Sequence, residues 1–204
     1  LVADGYAAIG DSAFRNCSRL GQVDFSPALR QIDAHAFNGC SALGQAKLPG
    51  TVETIGDSAF SGCSSLTYVS LGPKATSIGS SAFNGCRQLG WLTFPEGTTI
   101  VGDSVLYGCS TLKSVGLPES VSDIRSSALR STALTEVVLP AAVTNLGAYV
   151  FGDGSFARVC YLGDAPAYNG DLYSGTASGL VSCLVEKSYG WDGNPKSRAP
   201  VETW

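Results

Sequence analysis

The chain has 204 residues, 44% of them hydrophobic and 15% charged, with a formal net charge of −4. Those values fit one folded domain or one repeat array and exclude a disordered polar tail or a second large domain. The acidic balance and the lack of any Lys/Arg cluster argue against nucleic acid as a partner, and no run approaches the ~20 apolar residues of a membrane helix.

The sequence opens at Leu1 and contains no Met, which predicts a processed or trimmed fragment. Residues 1–8 read as the remnant of a truncated repeat, because Val2 falls in register with Leu48. Units then begin at Ile9, Ile32, Ile55, Ile78, Val101, Ile124 and Leu146. Cys17, Cys40, Cys63, Cys86 and Cys109 lie 23 residues apart; Phe14, Phe37, Phe60 and Phe83 keep the same step, as do Leu20, Leu43, Leu66, Leu89 and Leu112. A fixed period of this length is the signature of a solenoid.

Within a unit, Leu66 to Leu71 alternates apolar and polar residues, the pattern of a half-buried strand. A proline then stops it (Pro49, Pro73, Pro95, Pro118 and Pro140). An apolar pair such as Val52 and Ile55 follows, and then an Asp/Ser-Ser-Ala-Phe stretch that predicts one helical turn capped by Asp57 or Ser58. Stacked strands at ~4.8 Å spacing give a parallel sheet. The sixth and seventh units are one residue short after Leu129 and Phe151, and that deletion removes their cysteine. Beyond residue 162 the step stops and Tyr168, Tyr173, Tyr189, Trp191 and Trp204 enter. This divides the chain into an array over 1–162 and a capping hairpin with a tail over 163–204.

The pattern I-G-x-x-A-F-x-x-C-x-x-L-x-x-V-x-L-P, most complete over Ile32 to Val52 and Ile55 to Leu71, resembles the BspA-like branch of leucine-rich repeats. Val159 to Pro166 looks like the final strand of such arrays, and Ser188 to Trp191 is similar to their closing hairpin. The resemblance implies a right-handed leucine-rich-repeat solenoid, with a concave parallel β-sheet and short helical turns on the convex side. It also implies an extracellular or bacterial cell-surface location, and adhesion to a host or matrix protein or a surface glycan. The family carries no shared catalytic residues.

The cysteine column reads as small buried hydrophobes. No C-x-x-C or Cys/His pairing suggests zinc, and no metal or cofactor is expected. Cys160 sits at an outward strand position and Cys183 in the following apolar strand, Leu180 to Val185, so these two are the candidate disulfide; a free pair is the alternative. The lone His35 stands where sibling units carry Ser and reads as a solvated turn residue, since nothing is spaced to complete a triad. Asp11, Asp57 and Asp103 recur at one position and read as caps, and Gly152 to Ser155 is too thin for calcium.

Period two places fourteen residues on the concave face: Gln22, Asp24, Gln45, Lys47, Tyr68, Ser70, Trp91, Thr93, Ser114, Gly116, Glu136, Val138, Arg158 and Cys160. Tyr68 and Trp91 belong to adjacent units. They form either a rigid contact platform or a pair that merely cover each other. Gln45, Lys47, Tyr68, Ser70, Trp91 and Thr93 are thus the candidate centre of a binding patch. The first strand has no evident cover, which predicts edge-mediated self-association. A binding or adhesion module is the leading reading, a structural spacer within a larger surface protein is the alternative, and an enzyme ranks last for want of a catalytic constellation.

Overall fold

The computed structural model describes residues 5–176, 181–184 and 201–203. In chain order the strands begin with β1 (Ala8–Ile9), β2 (Gln31–Ile32), β3 (Gln45–Lys47), β4 (Thr54–Ile55), β5 (Tyr68–Ser70), β6 (Ser77–Ile78), β7 (Trp91–Thr93) and β8 (Ile100–Val101). They continue with β9 (Ser114–Gly116), β10 (Asp123–Ile124), β11 (Glu136–Leu139), β12 (Asn145–Leu146), β13 (Arg158–Tyr161), β14 (Ala167–Tyr168), β15 (Val181–Leu184) and β16 (Val201–Thr203). Every recorded pairing is parallel and joins one coil to the next, as in Gln45 with Tyr68 or Thr54 with Ser77.

Two sets of strands alternate along the chain. The broader set follows the expected alternation, with Ala46, Val69 and Leu92 buried between more exposed neighbours. A second set of two-residue strands carries the residues that open each unit, and Ile32, Ile55, Val101 and Ile124 point fully inward from it. In the first unit the broader strand shrinks to a single bridge at Asp24.

The aromatic column is physical. Phe14, Phe37, Phe60 and Phe83 stack with centroids 5.2, 5.2 and 5.6 Å apart and ring planes within 9° of parallel. Cys40, Cys63, Cys86 and Cys109 are buried free thiols, and each donates its S–H to a phenylalanine carbonyl of the preceding coil at 3.1–3.2 Å. That carbonyl already accepts a backbone N–H from its own turn, so the thiol occupies its second lone pair. In the sixth unit, which lacks the cysteine, buried Thr132 instead donates within its own turn, at 2.9 Å to Leu129 O. Burial pushes the Cys40 thiol up to about 11 and the Cys63 and Cys109 thiols up to about 12.

The convex segments differ from the expected helical turns: no helix occurs among the described residues. Ser58, Phe60 and Gly62 donate their N–H groups to the carbonyls of Ser80, Ala82 and Asn84 in the next coil at 2.7–2.8 Å, while Ala59, Ser61 and Cys63 donate back three residues. A continuing α-helix would instead send each N–H to the carbonyl four residues back. The alternation requires a left-handed residue in each unit, which is Ser12, His35, Ser58, Ser81, Ser104, Ser127 or Tyr149, with φ between 53° and 59°. Ser tolerates that conformation only where surrounding bonds fix it. The aspartates also act between coils: Asp57 Oδ1 accepts the Ser80 N–H at 2.7 Å, and Asp103 Oδ1 that of Ser126 at 3.2 Å. His35 is half-buried rather than solvated, and its Nδ1 is buried without a hydrogen-bond partner.

Past residue 162 the parallel ladders continue. β14 pairs with β12, β15 with β13 and β16 with β15, all parallel. Tyr173 closes the aromatic column against Phe151 at 5.4 Å and joins its hydroxyl to that of buried Tyr161 at 2.8 Å. The expected hairpin at Ser188 to Trp191, the outgoing tail and Val2 lie outside the described residues.

Candidate functional site

All fourteen residues assigned to the strand face are exposed or half-buried, because each flanks an inward residue of its coil. Trp91 is 47% exposed. Its ring meets Tyr68 edge-on, with centroids 5.3 Å apart and planes at 61°, an arrangement in which the positive edge of one ring faces the π-cloud of the other.

This pair marks a break in the stack. β5 pairs with β3 and β7 with β9, but β5 and β7 do not form a ladder, and neither do β6 and β8 at the same junction. The other side stays closed through the three bonds from Ser58, Phe60 and Gly62. Other distances agree that this junction is wider. The Phe60–Phe83 step is the long one, 5.6 Å against 5.2 Å. A Cβ on Gly79 would meet the preceding coil's backbone at 2.5 Å, whereas one on Gly102, across the open junction, would find it at 3.5 Å. The coils are therefore hinged at the turns and splayed at the strands. The broader ladder lapses again between β9 and β11, where the second ladder stays paired.

The splay opens a groove of about 370 Å³ lined by Tyr68, Ser70, Trp91 and Thr93 together with Leu71, Pro73, Pro95 and Glu96. Of the six patch residues, four line it. Gln45 and Lys47 do not, since they lie on β3, which remains tightly paired with β5. Sequence reasoning missed the walls contributed by Leu71, Pro73, Pro95 and Glu96. One signal was present: Pro73 stands 24 residues after Pro49 and 22 before Pro95, so the strand of that unit ends out of step.

Thr98 lies at the same junction. It is fully buried in the column of Val52, Ala75, Val121 and Val143, and its hydroxyl has no partner. On the same face further along, Cys160 is disulfide-bonded and the backbone register sets Cys183 directly across from it. No group of three or more His, Cys, Asp or Glu side chains that could hold a metal is found among the described residues.

Stacked parallel coils with a one-sided aliphatic and aromatic core define a leucine-rich-repeat solenoid. The BspA type leucine rich repeat region matches in six copies over residues 2–89 and 31–157, and the chain belongs to that family. Among solved structures it is similar to a leucine rich cell surface protein from Faecalibacterium prausnitzii A2-165, with 34% identity over 76% of this chain and a TM-score of 0.69. It is also similar to the T. pallidum leucine rich repeat protein, at 30% identity over 78% of this chain and 77% of that one, TM-score 0.61. A leucine-rich repeat protein from Bacteroides ovatus ATCC 8483 shares the fold along the whole chain, with a TM-score of 0.72 and 23% identity. This chain spans 42% of the F. prausnitzii protein and 60% of the B. ovatus one. No curated protein matches it. No helix among the described residues is long and apolar enough to cross a membrane.

Proposed function

We propose that this chain is a surface-displayed binding or adhesion module, which takes a protein or glycan ligand on its strand face and catalyses nothing. Bacterial cell-surface display rests on the family and on the F. prausnitzii relative described as a cell surface protein. The observation that carries the binding reading is the splayed junction, where Trp91 and Tyr68 stand at the mouth of a groove of about 370 Å³. A repeat array gains nothing in stability from opening its ladder there. The open wall does give a ligand two rigid aromatic rings, flanking apolar prolines and the Glu96 carboxylate. Such clusters concentrate binding energy, because large rigid side chains lose little entropy on contact.

The test is a glycan-array and matrix-protein screen with the wild-type chain, repeated with Tyr68→Ala/Trp91→Ala. Affinity for any captured partner should fall by about two orders of magnitude, on the order of the ~2–4 kcal/mol carried by an aromatic hot spot, with the melting temperature kept. Unchanged affinity would remove the site. A chain that captures nothing in either screen would instead be a spacer that holds other domains away from the envelope.

A further inference from the structure

On the second ladder three departures from the repeat stand on either side of one ordinary coil. The residue after the unit-opening aliphatic is glycine at Gly10, Gly56, Gly79, Gly102 and Gly147. At Gly56, Gly79 and Gly147 an added Cβ would come within 2.3–2.5 Å of the preceding coil's backbone. The second unit carries Asp33 and the sixth Arg125 at this position; two coils beyond the sixth, past Gly147, it holds Asn169, with Tyr168 in place of the opening aliphatic residue. With Asp103, Asp123 and Asn145 these side chains line an open groove of about 300 Å³. It lies on the second ladder, away from Tyr68 and Trp91, and shares no lining residue with the groove of the strand face.

The polar groups here are only partly used. Asp123 Oδ2 accepts from Arg125 Nε at 3.3 Å, Asp103 Oδ1 from the Ser126 N–H at 3.2 Å, and Asn145 Nδ2 donates to Thr144 Oγ1 at 3.3 Å. Among the described residues that leaves without partners one oxygen of each carboxylate, the two terminal guanidinium nitrogens and the Asn145 carbonyl oxygen. Planar forks of this kind match adjacent hydroxyls, each of which both donates and accepts, and the Tyr168 ring adds apolar contact for the C–H face of a ring. Two carboxylates against one guanidinium leave the groove with a local charge of −1 (1 − 2), so phosphate, sulfate and carboxylate ligands are repelled.

We propose that this groove binds a neutral pyranose through its vicinal hydroxyls. The repeat does not need polar side chains here: Gly79, Ala8 and Ile100 serve the corresponding positions in other coils.

The experiment is saturation-transfer NMR and calorimetry of the wild-type chain with methyl glycosides of glucose, galactose, mannose and N-acetylglucosamine, alongside inorganic phosphate and sialic acid. A neutral glycoside should bind in the millimolar range usual for small ligands held by a few hydrogen bonds, and the two anions should not. Arg125→Gly, which restores the residue found in sibling units, and Asn145→Ala should each weaken binding about tenfold, while Tyr68→Ala/Trp91→Ala leaves it unchanged. An oligosaccharide that ends in the same sugar and binds more tightly identifies a glycan terminus as the source; equal affinity identifies the single ring. Absence of binding by every neutral glycoside overturns the proposal, as does binding that survives both Arg125→Gly and Asn145→Ala. Loss of ligand in the screen of the strand face would leave it standing.

Discussion

Replacing Phe60 by Ala puts the stacked column to its sharpest test. Phe60 is fully buried, with parallel ring neighbours at 5.2 Å (Phe37) and 5.6 Å (Phe83). Removing a buried phenylalanine costs ~3–5 kcal/mol, of which the lost ring pairs account for ~0.5–1.5 each. Phe14, at the first coil, is only half-buried and has a single column neighbour, Phe37. Its replacement by Ala should therefore cost ~1–2 kcal/mol by the same bookkeeping of buried area and ring contacts. Urea unfolding followed by circular dichroism reads the sum over the coils, and tryptophan fluorescence in a Trp191→Phe/Trp204→Phe background reads the neighbourhood of Trp91. Both are needed because a repeat array can unfold in parts. The reasoning fails if Phe60→Ala costs less than ~2 kcal/mol, or no more than Phe14→Ala, because either result would mean that the rings do not support one another along the stack.

Further predictions concern the backbone, the buried polar atoms and the thiols. Gly79→Ala should destabilise by ~1–3 kcal/mol through overpacking against Asp57, whereas Gly10→Ala, at the same motif position but with nothing within 4 Å, should be nearly neutral by thermal melting. Thr98→Val, which restores the residue of the column at Val52, should stabilise the fold by ~1 kcal/mol or more, since a buried unpaired hydroxyl is costly; a lower melting temperature would contradict this. For the thiols the sign follows from their raised values: Cys63 moves from 9.0 in the open chain to about 12 when folded. Between those limits the unfolded chain loses the proton first. Stability is then complete below pH 9 and falls as pH rises, by ~1.4 kcal/mol per unit for each such thiol. Urea midpoints at pH 8 and 10.5 should show this, and a Cys63→Ala variant should show it less; in the native chain at pH 8 Cys17, the one exposed free thiol among the described residues, should react quickly with Ellman's reagent and the buried column should not. Peptide mapping without reductant should recover a Cys160–Cys183 link, and alkylation of both thiols before reduction would exclude it.

The columns, the inward and outward assignment of the broader strands and the family were legible in the spacing of residues alone. The reason is physical: when each coil repeats the last, one position in the period has the same neighbours throughout, so Phe60 and Cys63 can be placed from spacing alone. The strand-face aromatics were legible for the same reason. Only the tertiary structure decided how the coils are joined. Spacing placed Asp57 near a turn, but its acceptor role depends on the amide of Ser80 in the coil beyond it. The helical reading of the Ser-Ala-Phe segment failed because its N–H groups are taken by the neighbouring coil, a choice invisible within one unit. The splay between β5 and β7, and with it the groove, depends on offsets of about 1 Å between adjacent coils. A period of constant length is blind to such offsets, because it counts residues along the chain, whereas the groove is made from the gap between one turn of the solenoid and the next.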